Sequence, residues 1–193
     1  MKVIGLTGPI AAGKDEAAKV LKRQGAYIID ADKLAHELYA PQTPAWHELV
    51  KAFGSKILVR GGKINRKKLG EIVFGDKRKL KELNEIVHPA LKAAIVKEVE
   101  SRKSKIESSG LIVINAAVLK EIGLIDYVDE VWVVSASRAT RLSRLIRSGS
   151  SKPAALKMIN AQTPQAVYLK IADKLIRNQG TLKQLNARIQ ACL

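Results

Sequence analysis

The apolar run Val3-Ile4-Gly5-Leu6 leads directly into Gly8-Pro9-Ile10-Ala11-Ala12-Gly13-Lys14-Asp15, and this junction constrains the chain more than any other feature. Strand, glycine-bounded loop and helix start follow in that order, the layout of a nucleotide-phosphate cradle. Gly8 and Gly13 open backbone angles closed to other residues, so successive N–H groups can turn inward around an anion. The helix expected over residues 14–24 points its partial positive end at the same spot, and Lys14 adds a full charge within reach of the outer phosphates. The pattern normally ends in Lys-Ser or Lys-Thr, whose hydroxyl ligates Mg²⁺; here Asp15 takes that place. A carboxylate also ligates a hard cation and suits a first helical turn, although it sets a negative charge beside phosphates. The competing reading is an ordinary glycine turn in an α/β protein.

With 193 residues, 47% of them hydrophobic, the chain can bury the core of one α/β domain carrying a smaller helical insertion. The lone Cys192 rules out a disulfide framework and provides no metal-binding spacing. No apolar run approaches the roughly 18 residues of a membrane span, and a strand and loop occupy the place of a signal peptide. The expected setting is therefore cytoplasmic, with no membrane partner. A net charge of +16 would suit nucleic acid, yet only 4% of residues are aromatic, too few for a base-stacking platform. The basic residues are also scattered, through 66-RKK-68, 77-KRKLK-81, 102-RKSK-105 and 138-RATRLSRLIR-147. A small polyanionic substrate accounts for such charge by electrostatic focusing, and nucleic acid is not the expected partner. The composition sets no oligomeric state.

Strand-like runs at 2–7, 27–29, 111–114, 130–134 and 174–176 alternate with helical patterns near 14–24, 32–39, 43–53, 66–73, 77–104, 137–147, 153–161 and 181–191. This alternation, with continuously apolar strands, predicts an α/β fold: a doubly wound parallel sheet of about five strands, covered on both faces. The charged, helical stretch of about 60–105 reads as an inserted substrate domain, leaving 1–59 and 106–193 as the core of a single chain. Arg138, Arg141, Arg144 and Arg147 spread over one helix flank before the break at Ser148-Gly149-Ser150-Ser151. They read either as a mobile lid, over about 138–165, that brings guanidinium groups to a phosphate, or as a solvated face.

Asp30-Ala31-Asp32 follows the second strand directly, at the edge where doubly wound sheets bind ligands. Asp30 also fits a helix N-cap, so Asp32 is the better candidate to accept or orient an acceptor proton. His88, before Pro89, fits packing, hydrogen bonding or substrate contact.

Several separated segments resemble one family. They are 4-IGLTG-8 with the cradle, 29-IDADKLAHEL-38, 53-FG-54, 73-VF-74, 83-LNEIVHP-89, 121-EIGL-124, 161-AQTP-164 and 172-ADKLIRNQG-180. In this order and spacing the chain resembles bacterial dephospho-CoA kinase almost from end to end. The resemblance implies a P-loop NTPase fold with a helical CoA-binding insertion and a lid, and transfer of the γ-phosphate of ATP to the ribose 3′-hydroxyl of dephospho-CoA. It implies ATP and Mg²⁺ as cofactors, with Gly8, Pro9, Ile10, Ala11, Ala12, Gly13 and Lys14 around the phosphates. Asp15 would face the metal and Asn178 the adenine. Asp32, Lys14 and Arg147 would be catalytic, and His88 with Asp32 would contact the substrate.

The chain departs from the family at Asp15, at 117-AVLKE-121 where Pro-Leu-Leu-Phe-Glu is usual, and at the lid turn 147-RSGSS-151, which lacks the usual Asp. Thr140, Met158, Tyr168 and Arg177 stand where Gln, Arg, Lys and Asp are common. Two alternatives stay open beside the kinase: a nucleotide- or CoA-binding protein with weak or no transfer activity, and a kinase of the same fold with another acceptor.

Overall fold

Each expected strand forms: β1 (Lys2–Thr7), β2 (Tyr27–Asp30), β3 (Leu111–Asn115), β4 (Glu130–Ser135) and β5 (Lys174–Arg177) make one five-stranded sheet in the order β2-β3-β1-β4-β5. The computed structural model describes residues 1–105 and 110–193. β1 lies parallel to both β3 and β4, and β4 to β5. The chain leaving β1 heads for the β2 side of the sheet, and the chain leaving β4 for the β5 side. The connections thus diverge at the C-terminal ends of adjacent strands, the place where such sheets hold ligands.

The chain divides into two compact units, Met1–Ile29 with Ser101–Leu193, and Asp30–Glu100. In the first, helices α1 (Lys14–Arg23) and α9 (Leu182–Gln190) share a core with the strands through Leu21, Leu185 and Ile189 against Ile4, Trp132 and Ile176. Ile112, Val113 and Ile114 are fully buried, the consequence of a sheet covered on both faces. The helices α6 (Arg138–Arg147) and α7 (Lys152–Ala161) start at capping serines: Ser137 accepts from Thr140 N, and Ser151 from Ala154 N. α8 (Gln165–Lys170) has no counterpart in the sequence reading, since six residues are too few to show a helical period.

The second unit holds α2 (Ala31–Leu38), α3 (Pro44–Phe53), α4 (Arg66–Phe74) and most of α5 (Lys77–Lys103). This compact unit begins at Asp30, upstream of the charged stretch of about 60–105. The reason is its core, in which Leu49 and Phe53 of α3 and Ile57 beyond it pack with Leu69 of α4 and Val87 of α5. Trp46 ties the same region together by donating from Nε1 to the Gly62 carbonyl at 2.7 Å.

Candidate functional site

The cradle forms between β1 and α1, and its two glycines are there for different close approaches. Gly8 has φ 150°, and a Cβ there would run into the Val134 carbonyl of β4. Gly13, at φ 98°, leaves no room for a Cβ beside Asn178 Nδ2. Ala11 between them also holds a positive φ, 58°, a conformation that costs a non-glycine residue about 1–2 kcal/mol. Three side chains from distant segments hold this loop. Arg144 Nη1 donates to the carbonyls of Ala11 and Ala12, both at 3.0 Å. Asn178 Nδ2 donates to Ala12 O at 2.8 Å, and Gln162 Oε1 accepts from Ile10 N at 2.7 Å. Among the described residues no side chain caps α1, whose first N–H groups and positive dipole end face the loop.

Behind the loop, Lys14 is nearly buried and does not extend into solvent. Its Nζ donates to Asn115 Oδ1 at 2.7 Å and lies 3.1 Å from Asp15 Oδ1. Asn115, the last residue of β3, closes the triangle by donating from Nδ2 to Asp15 Oδ1 at 3.2 Å. Burial opposes ionisation of Asp15, but Lys14, the Asn115 amide and Lys19 outweigh it and hold the carboxyl below its ordinary value. Among the described residues no group of three His, Cys, Asp or Glu side chains could cage a metal. The Asp15 side chain remains 75% exposed, and its carboxylate oxygens are donors of the kind a hard cation arriving with nucleotide phosphates takes.

The other expected residues fall in several places. Gly8, Pro9, Ile10, Ala11, Ala12 and Gly13 form the loop itself. Asn178, expected near adenine, has its amide nitrogen committed to the loop backbone. Arg147 is exposed in the last turn of α6. In the second unit, Asp30 caps α2 by accepting from Lys33 N at 3.1 Å, which leaves the exposed Asp32 carboxylate without a hydrogen bond among the described residues. His88 sits in α5 beside a groove of about 570 Å³ lined also by Lys77, Lys81, Asn84 and Glu85. Pro89, inside α5, has no N–H to donate to the Glu85 carbonyl four residues earlier.

Sequence reasoning missed the roles of Asn115, Arg144 and Gln162. Their signals were a polar residue ending an apolar strand, one arginine within a stripe, and the glutamine of 161-AQTP-164. Arg141, one turn before Arg144, is buried and its Nε has no hydrogen-bond partner among the described residues. Tyr168 is buried too, its hydroxyl 3.5 Å from the Ala117 carbonyl, and burial together with Glu121 pushes its ionisation above the ordinary value.

A glycine-bounded loop braced from α6, α7 and β5, with a helix N-terminus left open to it, is the equipment of a phosphate-binding enzyme. Comparison with known proteins agrees. The family model for dephospho-CoA kinase matches residues 2–184. The dephospho-CoA kinase of Geobacter sulfurreducens is 42% identical, over 98% of this chain and 96% of the relative. That of Carboxydothermus hydrogenoformans is 39% identical, over 100% of this chain and 93% of the relative. Among solved structures, TT1252 from Thermus thermophilus superposes with a TM-score of 0.80 at 30% identity, covering 99% of this chain and 95% of that one. Dephospho-CoA kinase from Campylobacter jejuni gives 0.73 at 25% identity, covering 98% and 94%. By a family match that spans nearly its whole length, the chain belongs to the dephospho-CoA kinase family.

Proposed function

We propose that this protein transfers the γ-phosphoryl group of ATP to the ribose 3′-hydroxyl of dephospho-CoA, the last step of coenzyme A synthesis. The family match across residues 2–184 carries this reading, and the cradle supports it by offering backbone donors and Lys14 to a polyphosphate. In the reaction the bond from the γ-phosphorus to the bridging oxygen breaks and one to the 3′-oxygen forms. ADP leaves, and the hydroxyl proton passes to a base.

Asp32 is the proposed base, an exposed carboxylate two residues beyond the end of β2. Lys14 neutralises the charge that develops on the transferring phosphoryl oxygens, and Arg147 reaches it from the lid. The groove beside His88 is the proposed seat of the acceptor, its lysines suited to a phosphorylated substrate. Asp15 would hold Mg²⁺ on the protein side, and the ion would supply positive charge to offset that of the nucleotide phosphates. Closure of a lid over about 138–165 excludes water, the competing acceptor.

The test is to incubate the protein with ATP, Mg²⁺ and dephospho-CoA, and to follow ADP and coenzyme A. Stoichiometric formation of both is the expected outcome. Binding of ATP or dephospho-CoA without product would replace the kinase by a binding protein, and transfer to other hydroxyl compounds alone would reassign the acceptor.

A further inference from the structure

Two residues at the cradle depart together from the usual chemistry of nucleotide-phosphate loops. That chemistry pairs a hydroxyl after the loop lysine with a carboxylate from a second motif, and the two share the nucleotide's metal. Here the carboxylate is on α1, at Asp15, and its neighbour at the end of β3 is the amide Asn115. One negative charge is kept, but it has changed sides. The two residues are hydrogen-bonded to each other, Asn115 Nδ2 to Asp15 Oδ1 at 3.2 Å, and both lie on Lys14 Nζ.

The amide at 115 answers both neighbours at once, with an acceptor for the ammonium and a donor for the carboxylate. Turned over, it would set an N–H group against Lys14 and an oxygen against Asp15. A carboxylate in its place would have no donor for Asp15 and would set a second negative charge against it across a hydrogen-bond distance. Asn115 is also fixed in place. It is 3% exposed, stands opposite Leu6 in the β1–β3 register, and is followed by Ala116, whose N donates to Leu6 O at 3.0 Å.

We propose that Asn115 is the positioning residue that makes Asp15 workable in the cradle: it orients the carboxylate for the cation carried by the nucleotide, and residues 15 and 115 can be exchanged only as a pair. This rests on the ATP–Mg²⁺ reading given above. A purely structural asparagine would tolerate or resist replacement regardless of residue 15.

The experiment compares Asp15→Thr, Asn115→Asp and the double variant, measuring ATP affinity by calorimetry over a series of free Mg²⁺ concentrations. Each single substitution should weaken the Mg²⁺-dependent gain in affinity by about tenfold, and the double variant should return to within about threefold of the parent. Effects that simply multiply, or a double variant worse than either single one, overturn the pairing. If Asn115→Asp does not fold, the comparison of Asp15→Thr with the double variant decides alone, because the second change must then improve binding. A parent protein whose ATP affinity ignores Mg²⁺ overturns the metal reading and the pairing with it. Mg²⁺-dependent binding with independent substitutions overturns the pairing alone.

Discussion

Asn178 and Arg144 lock together against the back of the phosphate cradle. Arg144 Nη2 donates to the Asn178 carbonyl at 2.9 Å, while Arg144 Nη1 and Asn178 Nδ2 converge on the Ala12 carbonyl at 3.0 and 2.8 Å. A planar fork that makes three such bonds at once is a task for arginine that lysine's single ammonium cannot match. The bonds offset the cost of the positive φ at Ala11 and keep the loop in shape before any nucleotide arrives.

Arg144→Ala should therefore raise the Kd for ATP about tenfold or more and lower Tm by several degrees, since hydrogen bonds from a charged group contribute about 1.5–3 kcal/mol each at most. Arg144→Lys should recover only part of either. Calorimetry and thermal unfolding measure both, and an unchanged ATP affinity would show that the loop holds its shape unaided.

Asp32→Asn should lower kcat by about 10²–10⁴ and leave the Kd for ATP unchanged, as expected for the loss of a base that does not touch the nucleotide. Because Asp32 is exposed and caps nothing, Tm should move by less than about 1 °C. Near-parental turnover would remove Asp32 from the reaction.

Arg147→Ala separates catalysis from stability in the same way. The side chain is exposed and makes no hydrogen bond among the described residues, so folding should be unaffected while kcat falls steeply, by up to about 10³. Should kcat hold for Arg147→Ala and fall for Arg141→Ala, the buried arginine without an Nε partner takes over the role.

At the opposite edge of the sheet, Glu130 accepts from Lys2 at 2.7 Å, from Trp132 Nε1 at 2.7 Å and pairs with Lys174 at 3.3 Å. The Lys2 bond above all, with those to Trp132 and Lys174, depresses its carboxyl from the ordinary 4.5 to about 2. A depressed folded-state value means that the stabilisation is complete above the ordinary value and disappears as pH falls from 4.5 towards 2. Glu130→Gln should thus flatten the acid limb of a plot of urea midpoint against pH, with the two proteins converging near pH 2. Salt should shrink the difference, because Lys2 and Glu130 are both solvent-accessible. Parallel acid limbs would show that the cluster adds nothing.

Much of the fold was legible because its signals are local. Continuous apolar runs mark the buried parallel strands β1, β3 and β4, and Ser137, Ser151 and Thr181 accept from the third residue of the helices they open. Asp30 reads as a cap from sequence and is one, accepting from Lys33 N. The lower boundary of the second unit has a non-local reason: α3 joins that core through Leu49 and Phe53, whatever charge surrounds it.

The amino-acid order by itself determined the strand–loop–helix cradle, the parallel sheet and the kinase family, since glycine spacing, hydrophobic period and motif order are properties of neighbouring residues. Only the tertiary structure decided what supports the cradle. It selected Arg144 from four evenly spaced arginines, and it brought Gln162 to the Ile10 N–H across 152 positions and Asn115 to Asp15 across 100. Those choices follow from which strand and helix ends the β2-β3-β1-β4-β5 order places side by side, a relation that sequence distance does not encode.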